Sequence, residues 1–318
     1  AVATVERAGR LAQRIRAGMV SDGMNVTKRD LSPVTVADFA VQALVAHALA
    51  GPYPGEPLVA EESSRDLRSS EAVLETVTQY LAEEIEGADT ESVCRWIDRG
   101  AAQPGGRYWV LDPIDGTKGF LRGGQYAVAL ALMDGPRVEL GVLGCPNLGP
   151  EYGAGAPGGP GVIVVAARGR GAWQAGAGGA LVPLRASPCR GAGVARLLRS
   201  HEAGHTDAAK TELFAQALGL EAPPVRMDSQ AKYVLLAAGH AELMLRLLSP
   251  RQPDYREKIW DQAAGSIVLE EAGGRITDLD GRALDFSRGR RLEANRGLLA
   301  SNGPLHDRAL DALRQVGA

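Results

Sequence analysis

The sequence predicts an α/β protein of layered sheets and helices, built in two parts. Three observations carry this. Beyond the stretch from Pro183 to Pro188, short apolar runs alternate with helical patterns, as in α/β layering. Before it, apolar runs flank Asp134-Gly135, a hairpin signal, which gives the first part an α+β character. Hydrophobic residues make up 45% of the 318 residues and charged ones 23%, the balance of a globular chain. At about 100–200 residues per domain, this length suits two domains or one large one. The expected division is an N-terminal α+β part over 1–184 and a C-terminal α/β part over 185–318. Aromatics are only 5%, so the core must be mostly Ala, Val and Leu.

The elements follow in order. Val5, Ala8, Leu11, Ala12, Ile15 and Met19 recur at helical spacing and predict a first amphipathic helix. Pro33 and Thr35 punctuate the start of a second, running to about Leu49. Leu58 to Ala60 reads as a strand ending at Glu61-Glu62, and Glu71 to Glu86 as a helix. Tyr108 to Leu111 reads as a strand stopped by Pro113, which cannot donate to a ladder. Gln125 to Leu132 and Arg137 to Leu143 form the hairpin. Gly149 to Gly161, rich in Gly, Pro and Ala, reads as a mobile loop. Val162 to Ala166 and Ala172-Trp173 are further strands. The Gly-Arg-Gly-Arg-Gly tract from Gly169 lies between strand-like runs, so it reads as a hairpin turn and not as a nucleotide loop. Then come strand Arg196 to Ser200, helix Thr206 to Leu218, helix Gln230 to Ala238 and strand Ala241 to Leu247. Helix Trp260 to Ala272, strands Arg275 to Thr277 and Leu298 to Ala300, and helix His306 to Gln315 complete the chain.

Composition excludes several classes of function. Lys+Arg 35 against Asp+Glu 38 leaves no basic excess for holding nucleic acid by charge. The three cysteines, Cys94, Cys145 and Cys189, are far apart and form neither a disulfide framework nor a zinc motif. They fit a reducing, cytoplasmic setting. The longest apolar stretch, Tyr126 to Met133, falls far short of the ~18 residues of a membrane span. No signal peptide is expected, because no charged region precedes an apolar one at the start.

The densest chemical signal is Trp109-Val110-Leu111-Asp112-Pro113-Ile114-Asp115-Gly116-Thr117. A strand delivers Asp112 to its end, and Asp115 follows in a tight turn. Two anions at close quarters repel unless they are protonated or neutralised by a cation. Oxygen ligands suit a hard divalent cation, so Mg²⁺ is the natural guest. Gly116 and Thr117 present backbone N–H groups at a loop-to-helix start, where a phosphate can bind. The plain alternative is an Asp-Pro turn followed by an Asp-Gly turn. Three other acidic sites add to the signal: Glu61-Glu62 at a strand end, Asp261 at a helix start, and Asp38 at capping-box spacing from Thr35.

Asp112 to Thr117, together with Trp260-Asp261-Gln262-Ala263-Ala264-Gly265, resembles the paired signature of the inositol monophosphatase superfamily of Mg²⁺-dependent, lithium-sensitive phosphatases. The extension Lys118 to Tyr126 narrows the resemblance to the 3′(2′),5′-bisphosphate nucleotidases, which take the 3′-phosphate from 3′-phosphoadenosine 5′-phosphate to leave AMP. Ser32 to Asp38, Gly144 to Leu148, Asp228 to Tyr233 and Glu257 to Asp261 fit the same subfamily. Ala37 and the Gly149–Gly161 loop depart from its pattern. The resemblance implies an αβαβα sandwich with the site between the two parts. It implies two or three Mg²⁺ held by Glu61, Asp112, Asp115, Asp261 and the Ile114 carbonyl. Asp38 and Thr117 would position and activate water, and Gly116 and Thr117 would hold the scissile phosphate. The role of Glu62 stays open between ligand and exposed strand-end acid.

Nucleotide recognition needs cationic and polar groups from the C-terminal part. Ser229 and Lys232 share a helical face. Arg246 interrupts an apolar strand, where it either snorkels or meets an anion. His205 aligns with a family histidine near the substrate. Lys258 either meets a phosphate or pairs with Glu257. His47, His201, His240 and His306 read as structural. The expected partner is a small-molecule nucleotide, with no nucleic acid polymer and no membrane, and the family precedent is a monomer. Two alternatives stand beside this reading: a phosphatase of inositol phosphates or sugar bisphosphates in the same superfamily, and a catalytically silent nucleotide-binding regulator.

Overall fold

The computed structural model of the chain describes residues 1–21, 33–153, 155, 159, 161–176, 179–201 and 207–318. A seven-stranded sheet occupies the first part: β1 (Leu58–Ala60), β2 (Arg107–Asp115), β3 (Ala127–Asp134), β4 (Arg137–Cys145), β5 (Val162–Ala167), β6 (Gly171–Ala175) and β7 (Leu181–Pro183), side by side in chain order. β1 pairs parallel with β2, Leu58 opposite Trp109, and the rest is an antiparallel meander. The second sheet contains β8 (Leu197–Arg199), β9 (Val225–Arg226), β10 (Leu243–Arg246), β11 (Arg275–Thr277) and β12 (Leu298–Ser301), in the order β11-β12-β10-β8-β9.

Helices form three further layers. α1 (Val2–Ser21) and α2 (Pro33–Ala50) cover the outer face of the large sheet. α8 (Ala231–Ala237) and α9 (Ala263–Glu271) lie between the sheets. α7 (Ala208–Leu218) and α10 (His306–Gln315) cover the far face of the small sheet. The result is the αβαβα sandwich. It explains why β3 is a continuous apolar run and not an alternating one: both its faces are covered. Val128, Leu130 and Leu132 join the core under α1 and α2, while Ala127, Ala129, Ala131 and Met133 join the core containing α8 and α9. Gly141 on β4 lets α9 approach closely, since a Cβ there would lie 2.5 Å from Ile267 Cγ2 and 2.6 Å from the Ala264 carbonyl.

Several boundaries differ from the sequence expectation. Pro113 does not stop β2; the strand runs on to Asp115 through a register shift between Asp112 and Asp115, the kind of bulge that tolerates proline. α2 begins at Pro33, so Thr35 lies within its first turn and does not cap it. The hairpin turns at Gly135-Pro136, one residue later than expected, with Asp134 still paired to Arg137. The helix from Glu71 stops at Ala82 (α4), and the Trp260 helix begins only at Ala263, so Asp261 precedes its Gln262 cap. Two helices were not foreseen: α3 (Ser64–Arg68) and α5 (Thr90–Asp98), the latter started by a reciprocal Asp89–Ser92 capping box. The Gly169 tract is the β5–β6 turn, as expected. Much of the Gly149–Gly161 loop lies outside the described residues. Among the described residues no helix is long and apolar enough to cross a membrane, and the three cysteines are free.

Candidate active site

The end of β2 builds the site. Asp112 is buried, 2% exposed, and its Oδ1 has no hydrogen-bond partner. Past the bulge, Asp115 emerges partly open, and its Oδ2 accepts a hydrogen bond from the Gln230 backbone N–H. Gly116 follows at φ +90° and caps a short helix, α6 (Thr117–Arg122). No other residue suits position 116, because a Cβ there would also come within 2.8 Å of Ser229 Cβ.

The acidic groups feel one another. Burial pushes Asp112 well above the usual carboxylate range, and the charges of Asp115, Glu61, Asp261 and Asp38 push it further. Burial also raises Asp115, against the hydrogen bond from Gln230. Burial, then Asp115 and Glu257, raises Asp261 to about 8. Glu61 is raised by burial and by Asp115, although its side chain is open to solvent. Among the described residues, no three of these carboxylates meet at one point as a finished ligand set. The donor chemistry still fits a hard divalent cation: oxygen groups, mutually repelling, with an orphaned buried oxygen on Asp112.

A cavity of about 530 Å³ opens beside this cluster. Asp115, Gly116, Thr117, Asp261, Ser229, Lys232 and Arg246 line it. Seven of the expected residues are thus brought together. Asp38 lines a second cavity with Glu62, Asp66 and Thr35, and its charge still acts on Asp112. The Asp38 carboxyl is raised well above the ordinary range by burial, then by Glu62 and Glu61. Glu62 is raised to about 7 by burial, Glu61 and Asp66. Asp112, Ile114, Glu61 and Lys258 line neither cavity. His205 lies outside the described residues.

The substrate-side residues are held in ways the sequence did not show. Ser229 precedes α8 with φ +64°, so it does not share a helical face with Lys232. Lys232 Nζ donates to Ser200 Oγ at 2.9 Å. Arg246 neither snorkels nor stands alone: its Nε lies 2.8 Å from Oε1 of the buried Glu257. Lys258 therefore does not pair with Glu257; its ammonium sits 5.2 Å from the centre of the Trp260 ring. His306 is buried between the Thr277 and Ser301 hydroxyls, a structural role as expected.

Sequence reasoning missed Gln230, Arg199, Arg226 and Asp228. Gln230 is buried; its Nε2 donates to the Trp260 carbonyl and its Oε1 accepts from Gly265 N–H, both at 3.1 Å. It therefore ties Asp115 to the turn that carries Asp261. Asp228 accepts from His201 N–H and pairs with Arg122, joining α6 to β8. Gln230 and Asp228 lie inside a motif already singled out, but only partner geometry shows what they do. Arg199 and Arg226 come together because β8 and β9 pair in parallel, which no local pattern signals.

The inositol monophosphatase family matches residues 1–318, the whole chain. The chain belongs to the inositol monophosphatase family. Its members are metal-dependent phosphatases. A protein of Oryza sativa described as a 3′(2′),5′-bisphosphate nucleotidase is 42% identical over 339 aligned residues, covering 98% of this chain and 92% of its own. An Emericella nidulans protein of the same description is 39% identical over 321, covering 92% and 90%. Among solved structures, Mycobacterium tuberculosis SuhB superposes with a TM-score of 0.65 at 22% identity, covering 99% of this chain and 94% of its own. That likeness concerns the inositol monophosphatase fold alone.

Proposed function

We propose that this family member is a Mg²⁺-dependent phosphomonoesterase that removes the 3′-phosphate of 3′-phosphoadenosine 5′-phosphate, giving AMP and phosphate. The observation that carries the reading is the lining of the cavity. Acidic groups, the Gly116-Thr117 helix start and the cations Lys232, Arg246, Arg199 and Arg226 all line it. Leu198, Met244 and Leu298 add an apolar surface for a base. A substrate with one phosphate to lose and a second to be held matches that layout. The descriptions of the relatives support the same substrate.

Glu61, Asp112, Asp115, Asp261 and the Ile114 carbonyl are the groups we assign to two or three Mg²⁺. Bound there, the metal supplies a lowered water pKa and neutralises charge on the leaving oxygen. The chain's own work is positioning. Gly116 and Thr117 hold the scissile phosphate through backbone N–H groups at the start of α6. Asp38 and Thr117 order the attacking water and take its proton; Asp38 acts from the α2 side, where Asp112 feels its charge. Ser229, Lys232 and Arg246 hold the nucleotide, with Lys258 at the metal side, where Glu61 and Asp261 act on its charge. The family precedent suits a monomer. A small nucleotide substrate and free thiols suit a cytoplasmic setting.

The test compares phosphate release from 3′-phosphoadenosine 5′-phosphate, AMP and inositol 1-phosphate, each with Mg²⁺ and with chelator. Release from the first alone, abolished by chelator, is expected. Preference for inositol 1-phosphate would replace the substrate assignment, and full activity in chelator would remove the metal.

A further inference from the structure

Glu61 and Asp261 come from segments 200 residues apart, and one side chain outside the family motifs touches the neighbours of both. Arg290 lies in the loop between β11 and β12. Its Nη2 donates to the carbonyl of Ala60, the residue whose peptide bond leads into Glu61. Its Nη1 donates to the carbonyls of Gly100 and Ala102, at 3.2 and 3.1 Å. The Gly100 carbonyl also receives Ala60 N–H at 2.9 Å, so the end of β1 is gripped from two sides. The guanidinium carbon lies 4.8 Å from the centre of the Trp260 ring, and Trp260 immediately precedes Asp261. The Arg290 carbonyl accepts from Ile259 N–H at 3.2 Å, which anchors the loop to the same segment.

We propose that Arg290 is a positioning residue that sets the spacing between Glu61 and Asp261, and thereby the affinity of the carboxylate cluster for divalent metal. The inference rests on the metal reading above. The choice of arginine follows from the geometry. Three carbonyl acceptors and one aromatic face surround a single planar group, which a lysine ammonium cannot match. Among the described residues no carboxylate lies within ion-pair distance of Arg290, so its charge is spread over carbonyl dipoles. It still acts on Glu61, favouring the ionised carboxylate. One cation thus holds a strand end and a turn together across the two sheets, and its positive charge offsets part of the repulsion among the acids.

The test uses the full chain as wild type, Arg290→Met and Arg290→Lys. Mg²⁺ binding to the substrate-free protein is measured by calorimetry, alongside melting in chelator and kcat and KM as functions of Mg²⁺. Loss of a group that orients a metal ligand weakens metal binding roughly 10–100-fold. Arg290→Met should fall in that range, with kcat recovering at high Mg²⁺ and the substrate KM at saturating metal unchanged. Arg290→Lys should restore part of the affinity. A Met variant that melts lower but binds Mg²⁺ like wild type would reduce Arg290 to a structural stitch and overturn the proposal. If Arg290→Met does not fold, Arg290→Lys decides: unchanged metal affinity overturns the proposal, weakened affinity supports it. Failure of the wild type itself to bind Mg²⁺ would overturn the metal reading first, and the clamp with it.

Discussion

Lys232→Met is the sharpest probe of where the nucleotide sits. Methionine keeps the length of the side chain and removes its charge. In the free protein the ammonium bonds a neutral hydroxyl, Ser200 Oγ, at 2.9 Å, and Ser200 is open enough to be rehydrated, so little stability should be lost. Burial, and then the Arg246 charge, lowers the Lys232 pKa, against the pull of Asp115. Two neighbouring cations with Glu257 as the close carboxylate partner of one leave room for an anion. One charge-assisted contact to a phosphate is worth about 1.5–3 kcal/mol, which is roughly 10- to 150-fold in kcat/KM. The loss should appear in KM, because a phosphate remote from the reacting one is held equally in ground and transition states. Arg246→Ala is the poorer probe. It strands Glu257, 3% exposed, without its cation, and breaking a buried pair costs about 3–5 kcal/mol. The assay measures kcat and KM for 3′-phosphoadenosine 5′-phosphate and for a small generic phosphomonoester on the same variant. Equal losses on both substrates would show that Lys232 serves the acidic cluster or the fold, and the placing of the nucleotide would be wrong. Because the ammonium is depressed, its charge goes sooner as pH rises, so the wild-type nucleotide KM should climb at a lower pH than an ordinary lysine would give.

Further outcomes are expected. Asp115→Asn and Asp261→Asn should each abolish turnover while melting at or above wild type in chelator, since each raised carboxylate opposes folding; more than a tenth of wild-type activity at saturating Mg²⁺ would remove that residue from the ligand set. Gly116→Ala should destabilise the protein by at least the ~1–2 kcal/mol of a left-handed alanine, and more through the 2.8 Å approach to Ser229, with lost activity even where it folds. A melt within a few tenths of a kcal/mol of wild type would contradict the cradle. His306 is held neutral, its pKa pushed down to about 4 by burial and by Arg275. A depressed histidine contributes stability that is complete above its unfolded value near 6.5 and is lost as pH falls towards 4. The contribution is at most about 3 kcal/mol, and melting curves of wild type and His306→Gln should converge over that window; parallel curves would refute it.

What was legible in the sequence was whatever is local. β1, β11 and α10 stand where their apolar patterns put them, and a helix starts at Thr117 after Gly116 as expected. Pro113 misled because its missing N–H argues for a strand end, while a bulge accommodates it and keeps Asp115 on the sheet. α3 and α5 escaped notice because their apolar stripes are short: Leu67 alone on the first, Val93, Cys94 and Ile97 on the second. Arg246 lines the cavity, and its partner Glu257 lies eleven residues on, across a turn that no periodicity marks. Asp38 is a second such case. It lines a cavity with Glu62, yet its charge reaches Asp112, a link between α2 and β2 that no local pattern marks.

The fold concentrates acids where they repel, and the surrounding structure shows how that is sustained. Asp112, Asp115, Glu61 and Asp261 are all raised, so each opposes folding at neutral pH unless something offsets it. The offsets come from residues other than the acids themselves. Gln230 gives Asp115 an N–H and locks the Trp260 carbonyl. Arg290 grips Ala60 and covers the Trp260 ring. Both lead to the same residue, the one before Asp261: Gln230 through its backbone carbonyl, Arg290 through its ring. In the positioning scheme proposed above, Trp260 is the point at which the two halves of the carboxylate cluster are brought into register. Its aromatic ring and its backbone carbonyl take on separate halves of that task, so a substitution of the ring can disturb the Glu61 side while leaving the Asp115 side in place.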